Sequence, residues 1–381
     1  MVTGLGSLRE GAREGHRSSR AAARAGREGS EVTVTGQVTL AQVARAAGVS
    51  LATASRALNG SPGRTVGPEL AARVISAATA LGYSVNANAQ AMARGTTTTV
   101  GLVVHDIADP YAAAIASGVM AAAAEHGLIV TIASTLSDPE LELRHLQALL
   151  RQRARAVILA GSRFADPEVT AATTAMLSAI TAGGGHVAAI GQDRLGCSTL
   201  AVGNVDGARR LARTLHTLGY RRFAVLAGPE QLVTSEDRLA GFREGLADYG
   251  IDLPPENVVG AQYTRDGGYV AMTELLDRGL EVDAVFAVND VMAVGAMAAL
   301  REQGHRVPQD LALAGFDDIA TLRDVAPPLT TVRIPLVGMG RQALELALMP
   351  DPAEGPVVRP VPGEVVVRAS TPARPSGPDE S

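Results

Sequence analysis

Between Val38 and Gly60 the chain reads VTLAQVARAAGVSLATASRALNG. At helical spacing, Leu51, Ala52, Ser55, Arg56 and Asn59 share one face, with short tips near the start and an arginine one turn later. Such a face fits a DNA major groove. Arg56 can pair with O6 and N7 of guanine, while Leu51 and Ala52 lie against base edges or a thymine methyl. Ser50, Thr53 and Ser55, with Thr39 at the preceding helix start, can hold phosphate and set register together with helix amides. The stretch holds two arginines, no lysine and no aromatic residue, so its charge alone does not separate a DNA reader from a plain helical hairpin.

The other residue types able to do chemistry are dispersed. Seven histidines (His16, His105, His126, His145, His186, His216, His305) show no metal-ligand spacing. No GxGxxG opens a strand–helix unit, and there is no P-loop and no GxSxG. TAGGGHV at 181–187 precedes a strand, whereas a phosphate cradle sits at a helix start. The expectation is therefore no catalytic set, no metal and no cofactor, with an enzyme on an α/β fold as the weaker alternative.

The elements that would position these residues are marked locally. Thr39 and Gln42 form a capping box before a helix with apolar Leu40, Val43, Ala44 and Ala47. Gly48 ends it, Val49 plugs the turn, and Ser50 caps a second helix over 51–58. Two short helices about a glycine turn make a helix-turn-helix. A third starts at Gly67–Pro68 and presents Leu70, Val74, Ile75, Ala78 and Leu81 before Gly82. From Val100 the pattern changes to short runs, among them VGLVV, LIVTIAS, AVILAG, HVAAIG, RFAVLAG, AVFAV and LALAGF, alternating with amphipathic helices. That rhythm predicts a parallel, doubly wound sheet with ligands at the carboxyl ends of the strands. After Met349 the chain is proline-rich, with one strand expected at EVVVRAS.

A length of 381 residues calls for more than one domain. Residues 1–94 carry 11 Arg against 5 Glu, while the remainder carries 23 basic against 34 acidic residues. A basic head on an acidic body suits a polyanion-binding module, although six of those arginines lie in residues 1–37. That segment is rich in Gly, Ser, Ala and Arg without hydrophobic period, and it reads as a disordered extension. It has no apolar core of a signal peptide, and no run in the chain is long enough to span a bilayer. The single Cys197 fits a reducing cytoplasm.

VTLAQVARAAGVSLATASRALNGS, followed by LGYSVNANAQAMARGTTTTVGLVVHDIADPYAA, resembles the start of LacI/GalR (lactose-repressor) family transcriptional regulators. SEDRLAGFREGL, YTRDGGYVA, FAVNDVMAVGAMAALREQG, LALAGFDDI and PPLTTVRIP extend the resemblance over about 38–371. It implies an all-α helix-turn-helix DNA-binding domain at 38–84, a hinge helix or linker at 85–97, and a periplasmic-binding-protein type I body at 98–371. The body would hold two doubly wound parallel-sheet subdomains, about 98–197 with 326–350 and about 198–325 with 353–371, before a disordered 372–381. In the hinge, Asn86 and Ala89 would contact DNA and Met92 would take the place of the leucine that family members wedge into the minor groove. Val85 stands where a proline is usual. For the cleft the resemblance points to Asp109, Tyr111, Asp193, Arg238, Tyr263 and Asp290, while Asp317 and Asp318 read as loop residues. Leu232 replaces an arginine of purine-binding members, which favours a sugar or oligosaccharide effector. The implied protein is a homodimeric, ligand-controlled repressor binding a pseudopalindromic double-stranded operator, with a solute-binding protein lacking DNA work as the alternative.

Overall fold

The computed structural model describes residues 38–59, 66–83, 97–349 and 355–374. The chain divides into two units between Val85 and Asn86. No helix among the described residues is long and apolar enough to cross a membrane.

The first unit holds three helices, α1 (Leu40–Ala47), α2 (Leu51–Asn59) and α3 (Pro68–Ala80). The capping box forms as expected. Thr39 Oγ1 accepts from Gln42 N at 3.4 Å, and Gln42 Oε1 accepts from Thr39 N at 2.7 Å. Gly48 ends α1 at φ +64°, a left-handed conformation that any other residue adopts at a cost of roughly 1–2 kcal/mol. Ser50 Oγ then accepts from Thr53 N at 3.1 Å and opens α2. Val43, Ala44, Ala47, Ala54, Val74 and Ala78 form the buried core, and its alanines let the helix axes approach closely. Two expectations for α3 fail: Ile75 and Leu81 are 52% and 39% exposed. The inward stripe of α3 runs Leu70, Val74 and Ala78 at steps of four, and Ile75 lies about 100° around the helix from it.

The second unit contains two parallel sheets. The first has β1 (Thr99–Val104), β2 (Ile129–Ser134), β3 (Ala156–Ala160), β4 (His186–Gly191), β5 (Ser198–Val202) and β11 (Val358–Val361), in the order β11-β5-β4-β3-β1-β2. Helices α4 (Pro110–Glu125), α5 (Pro139–Arg151), α6 (Pro167–Ala182) and α11 (Leu336–Leu348) accompany it. The second sheet orders β6 (Phe223–Ala227), β7 (Val258–Gly260), β8 (Ala284–Ala287) and β9 (Ala312–Ala314) as β7-β6-β8-β9. Its helices are α7 (Asn204–Thr217), α8 (Val233–Ala247), α9 (Arg265–Asp277) and α10 (Asp290–Glu302). A short antiparallel ladder joins β10 (Thr331–Arg333) to β12 (Glu364–Val366). Strands β3, β6 and β8 are buried along their whole length, as parallel strands covered on both faces must be.

The chain crosses between the sheets three times, and each crossing corrects a boundary expected from sequence. β5 pairs in register with β4 in the first sheet, so the first crossing lies at Gly203 and not near 197. β10 bridges to the second sheet through Ala314–Thr330 and Asp317–Arg333, so the return to the first subdomain comes at Pro335 and not at 326. The tail holds two strands: β11 adds to the first sheet beside β5, and only β12, from the expected EVVVRAS run, belongs with the second. The physical reason is common to all three. The crossings run side by side, with Gly203 N bonded to Val361 O at 3.0 Å, and side-by-side strands are specified by partners remote in sequence.

Candidate functional sites

On α2, Leu51 is 54% exposed, Ala52 is exposed, and Ser55 and Arg56 are half-buried. Thr53 is also half-buried, and its hydroxyl lies 2.8 Å from Ser50 Oγ. Both hydroxyls thus help build the helix start, whose first-turn amides, Leu51 N and Ala52 N, precede the internal hydrogen-bond ladder. Thr39 is exposed and likewise engaged in its own cap. A rigid, capped helix start with small tips and one arginine a turn later is the geometry that enters a major groove. The Asn59 side chain and residues Asn86, Ala89 and Met92 lie outside the described residues.

In the second unit, the carboxyl ends of the strands converge on a cleft, as open parallel sheets dictate. Helix-capping residues supply much of its lining. Asp109 follows β1 and caps α4, accepting from Tyr111 N at 2.9 Å. Asn289 follows β8 and caps α10, accepting from Met292 N at 2.9 Å. Thr234, Ser235 and Arg238 are buried along one face of α8. An inner cavity of about 40 Å³ is lined by Asp109, Thr234, Arg238 and Asn289 with His105, Tyr111, Ser162, Asn204, Tyr263 and Asp317.

Arg238 organises the inner cavity. Its guanidinium donates to Asn204 Oδ1 at 3.0 Å, Val288 O at 2.7 Å and Asp317 Oδ1 at 2.8 Å, and it lies 3.7 Å over the Phe316 ring. Three of the five N–H groups of the fork are used in this way, leaving one on each terminal nitrogen. Asp317 sits at φ +123°, a strained conformation for a residue with a side chain and one that concentrates at functional sites. Behind it, Asp290 is fully buried. Its Oδ1 accepts from Thr331 Oγ1 at 2.7 Å and its Oδ2 from Ile319 N at 3.0 Å. Burial, reinforced by the Asp317 charge, pushes Asp290 well above the ordinary carboxylate range. Burial also raises Asp317, but the facing Arg238 opposes that rise, so Asp317 is the charged member of the pair. Asp318 works elsewhere: against the effect of burial, Arg333 and Arg368 hold it low, and they fasten β10 to the tail.

His105 Nε2 accepts from Ser162 N at 3.0 Å, which fixes a neutral ring with its proton on Nδ1. Burial, with Arg163 nearby, lowers its pKa to about 4. Burial raises Asp109, and it pushes both the Tyr111 and Tyr263 hydroxyls upward. Besides the Asp109 carboxyl, the cavity presents neutral donors and acceptors around one internally compensated ion pair.

The subdomains are also clasped directly. Ala165 N donates to Gln231 O at 2.9 Å, Val233 N to Arg163 O at 3.0 Å, and Thr234 N to Ser162 Oγ at 3.0 Å. Gln192 Nε2 adds a bond to Thr234 Oγ1 at 2.8 Å. Gly191, at φ +145°, makes room at this point, since a Cβ there would meet Gly161 O at 2.5 Å.

Of the residues expected in the cleft, the structure brings Asp109, Tyr111, Arg238 and Tyr263 together. It does not bring Asp193, which is exposed, or Asp290, which is buried behind the wall. Their sequence neighbours stand in those places: Gln192 bonds across the cleft, and Asn289 lines it. Asp317, read from sequence as a loop residue, is the partner of Arg238. The helix-start motif AVND carried a signal for Asn289, a good N-cap at a strand end. Nothing local marked His105, Ser162 or Asn204.

A model of bacterial regulatory proteins of the lacI family matches residues 39–86, and one of a periplasmic binding protein-like domain matches residues 212–371. The HTH-type transcriptional regulator GalS of Salmonella typhimurium (strain LT2) is 37% identical over 316 residues, spanning 82% of this chain and 89% of that protein. CelR of Thermobifida fusca, another HTH-type transcriptional regulator, is 35% identical over 328 residues, spanning 85% and 94%. Among solved structures, a CelR–cellobiose complex aligns with a TM-score of 0.63 at 32% identity, covering 87% of this chain and 99% of that one. The Lac repressor dimer bound to operator and the anti-inducer ONPF aligns at 0.75 with 27% identity, covering 89% and 100%.

Proposed function

The chain belongs to the LacI family of bacterial regulatory proteins, and from that premise we propose a repressor whose hold on DNA is set by a carbohydrate in the cleft. It works as a homodimer that places two copies of α2 in successive major grooves of a pseudopalindromic operator in the cytoplasm. Leu51, Ala52 and Arg56 read bases; Thr39, Ser50, Thr53, Ser55 and Asn59 set register on the backbone. Asn86, Ala89 and Met92 act at the centre of the site.

The observation that carries the ligand class is the inner cavity, where a held guanidinium with two spare N–H groups faces neutral hydroxyl, amide and imidazole groups and two tyrosine rings. A polyol matches this array. Adjacent hydroxyls meet the arginine fork and a carboxylate, and the apolar side of a ring packs on an aromatic face. In this reading the cleft serves to bind, and His105 acts there as a neutral group already engaged with Ser162 N.

Fluorescence anisotropy with promoter-proximal genomic fragments, with and without a sugar panel, tests the reading. Sequence-preferring binding that a sugar alters is expected at low micromolar protein. Absence of any ligand-sensitive preference sinks the proposal. Arg56→Ala should lower discrimination between specific and random DNA by about 1–3 kcal/mol while largely preserving non-specific affinity. Thermal scans provide a second readout, because a bound effector raises the melting temperature without being consumed.

A further inference from the structure

Beyond the inner cavity lies an outer chamber of about 580 Å³, more than ten times the roughly 40 Å³ within, and the two share His105, Asp109 and Tyr263. By the same measure a single water needs about 10–15 Å³, so the inner cavity accepts only a few hydroxyl groups of a ligand. The remainder of any bound sugar must occupy the outer chamber, which has room for much more than one ring.

The chamber is built with an apolar side and a polar rim. Phe164 and Leu232 are bridged to each other across the clasp between the subdomains and form an apolar surface shared by both. Gln262, Thr264 and Arg265 lie on the rim. Leu136 lies at the lip. It is 68% exposed, and it and Ser137 hold left-handed backbone at φ +51° and +60°. The Leu136 N–H is fixed to His105 O at 2.7 Å, so the strained lip is anchored to the wall of the inner cavity. A large apolar side chain kept in water on a strained, anchored backbone is the kind of outlier that points to a binding role.

Resting on the carbohydrate reading above, we infer that the effector has two parts. A polar sugar end enters the inner cavity, and a second moiety with an apolar face, either another pyranose ring or an aglycone, lies between Leu136, Phe164 and Leu232. The outer chamber, and not the Arg238 cavity, then selects the effector by size and linkage.

Isothermal titration of the full-length chain with glucose and galactose, their β-linked disaccharides and their methyl and p-nitrophenyl β-glycosides tests this. At least one disaccharide or nitrophenyl glycoside should bind tenfold or more tighter than its parent monosaccharide. Gain confined to disaccharides identifies a second ring as the occupant, and gain confined to nitrophenyl glycosides identifies an aglycone. Leu136→Asn removes the apolar lip with a residue that tolerates left-handed backbone, and it should bring the ratio below threefold; Phe164→Ala should act in the same direction. Equal affinity for monosaccharides and their glycosides overturns the inference, as does an unchanged ratio in Leu136→Asn. Binding of no sugar in the panel overturns the carbohydrate reading itself and this inference with it.

Discussion

His105 shows how a single side chain couples the cleft to pH. Its folded pKa of about 4 lies below the ordinary value of 6.5 because burial, and then Arg163, disfavour the charged ring. The folded state therefore gains stability from His105 above pH 6.5 and loses it as pH falls towards 4. Asp290 acts in the opposite sense. Its raised pKa means that the folded state takes up a proton, so its contribution becomes less favourable as pH rises from the ordinary carboxylate range. The raw pH profile mixes both effects, and the comparison that isolates His105 is between the wild type and His105→Gln. The melting temperature of the wild type relative to the variant should fall between pH 6.5 and 4.5. A constant difference across that window would show that the ring is not held neutral by the fold.

Among the elements, α2 depends on its start. Ser50 Oγ accepts from Thr53 N, which also reaches Ser50 O, and it meets the Thr53 hydroxyl, so Ser50→Ala removes a side-chain cap next to the bases that Leu51 and Ala52 would touch. Such a loss costs about 1 kcal/mol. In a domain this small that corresponds to a decrease of roughly 4–8 °C in melting temperature. Hydrogen exchange of the first-turn amides should accelerate in the variant, and Ser50→Asp should restore protection because its carboxylate accepts the same bond. Unchanged exchange in Ser50→Ala would mean that packing of Ala54 on α1 and α3 holds the helix without its cap.

For the whole molecule, DNA and effector are linked through one chain, and linkage is reciprocal. If an effector weakens operator binding by some factor, typically between about 5 and 150, operator must weaken effector binding by the same factor. Titrating effector against free protein and against the operator complex, and operator against free and saturated protein, measures the factor in two ways. Agreement is the expected outcome. Unequal factors would show that the ligand changes the association state as well as the conformation.

The sequence by itself determined what rests on near neighbours. The Thr39–Gln42 box, Gly48 and the Gly67–Pro68 start are contained within a few residues, and the alternation of apolar runs with helical stretches announces a parallel, doubly wound architecture. Two corners that border the cleft, IGQDR and AVND, are also marked in the sequence, whereas GFDD reads there only as a loop. Within those corners only the tertiary structure chose the residue. Gln192 faces across where Asp193 does not, Asn289 lines the cavity where Asp290 is buried, and Asp317 meets Arg238 while Asp318 ties β10 to the tail. At a strand-to-helix corner successive side chains point in opposite directions, so a shift of one position exchanges cavity for interior or solvent. The partners that set the phase, such as Thr331 for Asp290 or Arg368 for Asp318, lie tens of residues away. The crossing strands β5, β10 and β11 escaped for the same reason: each is short, and its place comes from pairing with segments remote in sequence.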